Sequence, residues 1–404
     1  MLYSRDGKIA TREGKVLERK NNILTFQVQG STFPDPSATN GQFELNFSEP
    51  QTVLVNYGDG STVEYQSKGS SNYIQIMNPQ STVNPDQYSH HVYSDGLTGT
   101  RFISMLFEDL KTLKFISFFF CQIEGVFPIN INSASNLESL YLQSTNNLER
   151  FPASISQNKN IKFLGLGRAF SQRLNQIPDG FFEMSLEELI IGNAAVLTDL
   201  IASNFFKINQ LKNTLKRLVI RNNFVETLPD SIEECINLEI IDAYNNPLLE
   251  FPKQIAFLTG LVTLRLGKNI TSSNNSIPVL FNQNLEDFDV RIESLNFSDI
   301  PLSFKNLKSL RIINAFDQLV INDTRFDEFI DEFYTLTIEN AYLDPATAPP
   351  EETFPNQFRN VTWGDSSLTP TGTIQAPAID GDPQTQGEKI HELVNKYGHI
   401  ITTA

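Results

Sequence analysis

Several residue types are scarce in this 404-residue chain: it has one tryptophan, two cysteines, four methionines and four histidines. His90, His91, His391 and His399 are the whole histidine supply. None stands in a metal-ligand spacing such as H-E-x-x-H, so no metal site is expected. Cys121 and Cys235 are too few for a disulfide framework and are expected as buried thiols. Positive charge is also short, with 31 Lys and Arg against 47 Asp and Glu and a net charge of -16. That balance argues against nucleic-acid binding, which needs a basic footprint. No apolar run approaches the length of a membrane span, so no membrane insertion is expected. A phosphate-binding glycine loop with its lysine is missing, and Gly165-Leu-Gly167 lacks the third glycine of a dinucleotide loop. Ser, His and Asp occur without a nucleophile elbow. The expectation is a non-enzymatic chain with no catalytic residues and no cofactor.

What is present is a repeat. Leu215-Lys-Arg-Leu218-Val-Ile220-Arg-Asn-Asn223, Leu238-Glu-Ile-Ile241-Asp-Ala243-Tyr-Asn-Asn246 and Leu261-Val-Thr-Leu264-Arg-Leu266-Gly-Lys-Asn269 share one register, and their last asparagines recur every 23 residues. An apolar-proline step follows each: Leu228-Pro229, Phe251-Pro252 and Ile277-Pro278. Alternating apolar residues describe a strand with one buried face. Asparagine suits the turn that ends it, and proline, with no N–H to donate, stops the ladder. A single such unit cannot bury its apolar edge, whereas stacked neighbours share a core. The pattern resembles a leucine-rich repeat array. About ten units start at Leu110, Leu137, Ile161, Leu186, Leu215, Leu238, Leu261, Leu285, Leu307 and Phe333. The short segments after each proline should form one or two helical turns on the convex side.

The flanks differ. Residues 1–20 form a polar N-terminal arm, with Arg5, Lys8, Arg12, Lys15, Arg19 and Lys20 against Asp6, Glu13 and Glu18. It is either a disordered leader or a segment that orders on docking. Residues 21–109 show short alternating strands, such as Ile23-Leu-Thr-Phe-Gln-Val28 and Phe43-Glu-Leu-Asn-Phe47, separated by turn clusters. They read as a small antiparallel sandwich. Within them, Val55-Asn-Tyr57-Gly58-Asp59-Gly60 and the later His90-His91-Val-Tyr93 resemble the polycystic-kidney-disease (PKD) type of Ig-like domain. Asn56-Tyr57 stands where that family usually has Asp-Phe. Asp59 is read as shaping its turn and His91 as packing inside, rather than as metal ligands. Residues 110–363 are the repeat solenoid, 364–387 a spacer rich in Pro, Gly and Thr, and 388–404 a C-terminal helix or cap. In that helix Ile390, Leu393, Val394 and Tyr397 share one face. The fold class is therefore mixed β/α: an Ig-like sandwich followed by a leucine-rich repeat solenoid with a parallel sheet on its concave side.

Within the repeat frame the third, fifth, seventh and eighth positions should face the concave surface. The candidate binding residues there are Tyr141, Arg168, Arg217, Arg221, Tyr244, Arg265, Arg291 and Arg311, because arginine and tyrosine dominate binding hot spots. A structural account competes with this one. The fifth position runs Val219, Asp242, Arg265, Asp289, Arg311, an alternation that cross-strand pairing alone explains. The seventh position, with Arg221, Tyr244 and Arg291, looks less neutralised, so a site would centre there.

Architecture of this kind points to surface attachment. The opening residues lack the apolar core of a secretory signal, so the leading expectation is a phage virion component: a head or tail fibre or a decoration protein. It would be docked by Arg5, Lys8, Arg12 and Lys15. The alternatives are a bacterial surface or secreted adhesin and an intracellular repeat scaffold. Partners would be virion proteins, or a cell-surface receptor or glycan. A homo-oligomer is compatible with fibres, although no coiled-coil heptad sets a number.

Overall fold

The computed structural model describes residues 8–10, 16–18, 22–29, 32–33, 42–69, 73–77, 88–89, 91–93, 100–119, 121, 123–143, 147–167, 179–192, 205–249, 251–266, 285, 287–290, 309–312, 330–331, 334, 360–363, 372–379, 382–395 and 400–403. The chain divides into two compact units, residues 1–215 and 216–404.

The first unit opens with a two-stranded antiparallel hairpin, β1 (Lys8–Ala10) and β2 (Val16–Glu18), within the segment read from sequence as either a disordered leader or an arm that orders on docking. Next come β3 (Ile23–Gln29), β4 (Thr32–Phe33), β5 (Gln42–Phe47), β6 (Pro50–Asn56), β7 (Thr62–Lys68), β8 (Ile74–Met77), β9 (Tyr88–Ser89), β10 (His91–Val92) and β11 (Thr100–Phe107). The repeats of this unit supply β12 (Leu113–Phe119), β13 (Ile123–Val126), β14 (Ser139–Gln143), β15 (Asn147–Arg150), β16 (Phe163–Gly165) and β17 (Glu188–Ile190). One sheet runs β15-β13-β3-β11-β6-β7, and in another β9, β8, β5, β12, β14, β16 and β17 are neighbours in that order.

Both sheets cross residue 110 without a break in hydrogen bonding. β12 is antiparallel to β5 and parallel to β14, and β13 is antiparallel to β3 and parallel to β15. The first repeats thus finish two sheets that the preceding segment begins. Between the sheets lie aromatic rings. Phe118 of β12 stands 4.7 Å from Phe26 of β3 and 4.8 Å from Phe43 of β5, and all three are fully buried. The first repeat thus contributes a phenylalanine to the layer between the two sheets. Buried Gln51 pins the connection between them: its amide donates to the Asp109 carbonyl and accepts from the Asp109 N–H, at 3.0 and 2.9 Å.

The second unit is a plain parallel ladder: β18 (Arg217–Val219), β19 (Ile240–Asp242), β20 (Thr263–Arg265), β21 (Asp287–Val290), β22 (Ser309–Ile312), β23 (Asn360–Trp363) and β24 (Ile400–Thr403). The last strands correct the repeat count. The tenth unit was placed at Phe333, but residues 330, 331 and 334 are helical and β22 is followed in the sheet by β23. Helix α1 (Gln386–Asn395) sets buried Ile390 and Leu393 inward, while Val394 is more than a third exposed. It is tied to the helical residues Asp331 and Tyr334: Lys389 Nζ lies 2.7 Å from Asp331, and the Tyr334 hydroxyl donates to buried Glu392. Tyr397, the fourth residue of the expected face, lies outside the described residues.

The leucine positions behave as one-sided strands require. Leu215, Leu218, Ile220, Leu238, Ile241, Leu261, Leu264 and Leu266 are all completely buried, each worth about 1.5–3 kcal/mol of burial. Proline opens the outer turns: Pro128, Pro152, Pro229 and Pro252 are each the cap residue of a short 3-10 helix. Their missing N–H is one that a helix start leaves unpaired anyway. The predicted one or two helical turns are these 3-10 turns. Cys121 and Cys235 are free, buried thiols.

Candidate functional site: the solvent side of the parallel ladders

Strand alternation leaves one side of each ladder to solvent. In the second unit that side carries Arg217 and Tyr244, half-buried, and Arg265 and Arg221, exposed. Arg217 sits in register with Ile240 and then Thr263; Val219 aligns with Asp242 and then Arg265. These four candidates share three adjacent strands and the turns that follow them. Tyr141 belongs to β14 of the first unit, half-buried, with its hydroxyl donating to Glu188 Oε1 at 3.0 Å. Arg311 lies in β22, its side chain outside the described residues, as are Arg168 and Arg291 entirely. Of the arm residues, Lys8 contributes backbone to β1, and Arg5, Arg12 and Lys15 fall outside the described residues.

At the seventh position Arg221 is neutralised. Arg221 Nη2 is 2.8 Å from Asp242 Oδ2, and the Asp242 side chain is only 6% exposed. The other carboxylate oxygen accepts the Tyr244 N–H at 3.2 Å. The pairing is diagonal, from the seventh position of one repeat to the fifth of the next, so a comparison made within one column misses it. The eighth position also departs from expectation. Asn222 and Asn245 hold left-handed backbone, φ 56° and 58°, a conformation Asn tolerates better than most residues. The Asn245 amide donates to Asn222 Oδ1 at 2.9 Å. These two residues shape the turn while staying at the surface, Asn222 half-buried and Asn245 exposed.

Beneath the turn runs the asparagine ladder. Buried Asn246 donates to the carbonyls of Ala243 and Ile220, at 2.7 and 2.9 Å, and accepts the Val225 N–H at 3.1 Å. Asn223 donates to Ile220 O at 2.7 Å. Asn269, the third of the series, lies outside the described residues. The ladder fixes each strand end to its neighbour and holds the surface side chains in a constant frame.

Asp59 and His91 meet each other. Asp59 Oδ2 lies 2.8 Å from His91 Nε2, and Oδ1 accepts the Ser61 N–H at 2.9 Å and the Ser61 hydroxyl at 2.5 Å. The His91 ring stacks on buried Tyr57, 4.0 Å between centroids. Burial raises the Asp59 pKa, but the hydrogen bonds from Ser61 and His91 outweigh it and bring it to about 2. Gly58 and Gly60 make the tight turn possible, with φ 85° and 87°, values that favour glycine. Both Ser61 and Asp59 address the same histidine nitrogen, so the three residues do not form a relay toward a nucleophile. Among the described residues no cluster of three or more His, Cys, Asp or Glu could hold a metal. Among them, too, no helix is long and apolar enough to cross a membrane.

No protein-family model matches the chain, and no curated protein does. Solved structures similar to it include a leucine-rich repeat protein of Leptospira interrogans. That match is 24% identical, covers 47% of this chain and 58% of the other, and has a TM-score of 0.33. The leucine-rich repeat ectodomain of a plant membrane receptor kinase from Arabidopsis thaliana matches at 15% identity, over 62% of this chain and 30% of the other, with a TM-score of 0.35. An internalin from Listeria monocytogenes matches at 14% identity, over 56% and 79%, with a TM-score of 0.29. The chain spans less than two thirds of the first two. Its own register, its asparagine ladder and its proline-capped turns give it a leucine-rich-repeat-like fold, with many strands in parallel sheets and few helices.

Proposed function

We propose that this protein is a non-enzymatic recognition protein whose second-unit ladder engages a protein partner. The observation that carries the reading is that Arg217 of β18, Tyr244 in the turn after β19 and Arg265 of β20 are partly exposed beside strands whose opposite side is fully buried. Arginine and tyrosine are common anchors of protein interfaces, and the hydrogen-bonded turns beside them hold the backbone that carries them. Arg221 acts as a strut for that frame through Asp242.

In its finer form the protein is a phage virion component, a head or tail fibre or decoration protein. Support for this comes from the basic arm on an acidic chain, whose β1–β2 hairpin offers a compact docking element. The segment at 21–109 is then a PKD/Ig-like spacer, a reading supported by its two sheets and the Asp59–His91 contact. A surface or secreted adhesin uses the same ladder on a cell envelope.

The test is density-gradient separation of a lysate of the producing culture, with the protein blotted in each fraction. Sedimentation with DNA-filled particles, lost on deleting residues 1–20, is the expected result. Recovery with envelopes replaces the virion by the adhesin. An Arg217→Glu, Tyr244→Ala, Arg265→Glu triple variant that melts normally should lose a recognised partner; full retention of binding would remove the ladder from the function.

A further inference from the structure

The first unit carries an aromatic platform that the reading above does not use. On the solvent side of its ladder, Phe115 of β12, Tyr141 of β14 and Phe163 of β16 are half-buried above the buried Ile116, Leu140 and Leu164. Tyr73, just before β8 and 47% exposed, meets the Phe115 ring edge-on at 5.4 Å. Phe115 in turn lies 5.8 Å from the Tyr141 ring.

Tyr141 is held flat from two directions. It lies in register with Gly165 of the next strand, and a Cβ added to that glycine would meet Tyr141 Cδ1 at 2.3 Å. Only glycine lets the ring lie across the strand. The ring tip is held by the hydrogen bond to Glu188. Fixing an aromatic side chain in advance removes an ordering cost that a ligand would otherwise meet.

A purely structural reading, an aromatic covering a glycine across strands, accounts for Tyr141. It leaves Tyr73 and the polar rim unexplained. That rim follows the same register: Ser117 aligns with Glu44 of β5, and Glu44 with Gln75 of β8, whose amide donates to its carboxylate. Among the described residues of these aligned rows there is no lysine or arginine. An anion would meet the carboxylates of Glu44 and Glu188, and a wholly apolar partner would take them out of water with no new hydrogen bond. Both carboxylates accept bonds from neutral donors, Gln75 and the Tyr141 hydroxyl, the kind of donor that a sugar hydroxyl also is.

We propose that this face binds a neutral saccharide chain. Its ring faces, edged by weakly positive C–H groups, would lie against the electron-rich faces of Tyr73, Phe115 and Tyr141, and its hydroxyls would reach the half-buried Glu44 and Gln75. The site is separate from the second-unit ladder and stands whether or not that ladder binds a protein.

The experiment is native electrophoresis of the full chain through gels containing hydroxyethylcellulose, galactomannan or dextran, with heparin gels and titration of a labelled oligolysine as charged controls. Retardation in at least one neutral gel is expected, weakened about tenfold by Tyr73→Ala and by Phe115→Ala and unchanged by Arg265→Glu. Should Phe115→Ala melt early, Tyr73→Ala, at a half-exposed position, decides alone. No retardation in any neutral gel overturns the proposal, as does retardation indifferent to both variants. Binding to heparin or oligolysine in place of the neutral polymers overturns it in favour of a charge-driven surface.

Discussion

The two units solve the same problem in different ways. A repeat strand has two edges, and the first strand of a solenoid has no preceding repeat to cover one of them. In the first unit the cover is antiparallel: β5 pairs with β12 and β3 with β13, and Phe26, Phe43 and Phe118 fill the space between the sheets. In the second unit each strand pairs with a copy of itself, and buried amides do the joining. The first arrangement relies on shape and long-range contacts. The second relies on a short pattern repeated in register, so its stability should be more nearly a sum of neighbour interactions. The contrast also sorts the surfaces: aromatic rings crowd the first, charged side chains the second.

That contrast can be broken most forcefully at the aromatic layer. Phe118→Ala removes a fully buried ring touching both sheets, and the expected loss is about 4 kcal/mol in urea unfolding. A loss below about 1 kcal/mol would mean the two sheets do not depend on their shared core. In the second unit, Asn246→Ala removes three hydrogen bonds, two to carbonyls and one from an N–H, costing about 3 kcal/mol at roughly 1 kcal/mol per bond. The Asn246→Ala loss should be accompanied by faster hydrogen exchange at Val225, whose N–H the amide accepts. Unchanged exchange there would argue against the ladder as the joint.

How much of this could be read beforehand depended on how local each signal was. The 23-residue register announced β18, β19 and β20 because leucine and asparagine mark every unit. The Pro229 and Pro252 turns were equally visible. β23 and β24 were not, since Asn360–Trp363 and Ile400–Thr403 carry too few apolar residues to show a period, and their place is set by backbone pairing with a neighbour. Phe333 fitted the leucine frame by spacing alone, yet the residues around it fold as helix. The Arg217, Arg265 and Tyr244 positions were legible from alternation. The Arg221–Asp242 pair was not, because it joins different columns of adjacent repeats. The doubled asparagines at 222–223 and 245–246 were the available clue that the eighth position serves the turn. The grouping of Tyr73 and Phe115 with Tyr141, and the part Gly165 plays beside that ring, was not legible because a platform exists only once strands distant in sequence lie side by side.

A smaller effect sharpens the account of the first unit. Asp59 is depressed from 3.8 to about 2 on folding. A depressed carboxylate contributes stability that is present above its unfolded pKa and lost as pH falls through the folded one. The window is therefore pH 4 down to pH 2, and the amount about 2 kcal/mol. Asp59→Asn should destabilise the chain by that order at pH 7 and by little at pH 2. A mutant whose deficit stays constant across the window would mean that Ser61 and His91 hold the turn by shape, not by the carboxylate's charge.

The smallest effect bears most directly on function. Arg221 is 44% exposed, and exposed ion pairs contribute only about 0.2–1 kcal/mol. Arg221→Ala should therefore cost no more than about 1 kcal/mol in urea unfolding, even though it leaves the buried Asp242 carboxylate without this partner. If Arg221 is only a strut, Arg221→Lys should recover most of that loss and partner binding should follow stability in both variants. If Arg221 touches the partner itself, Arg221→Lys should restore stability but not binding, because an ammonium cannot reproduce the planar fork of a guanidinium. The strut reading predicts the first pattern, and the second would move the recognition surface from the Arg217–Tyr244–Arg265 row to the seventh position.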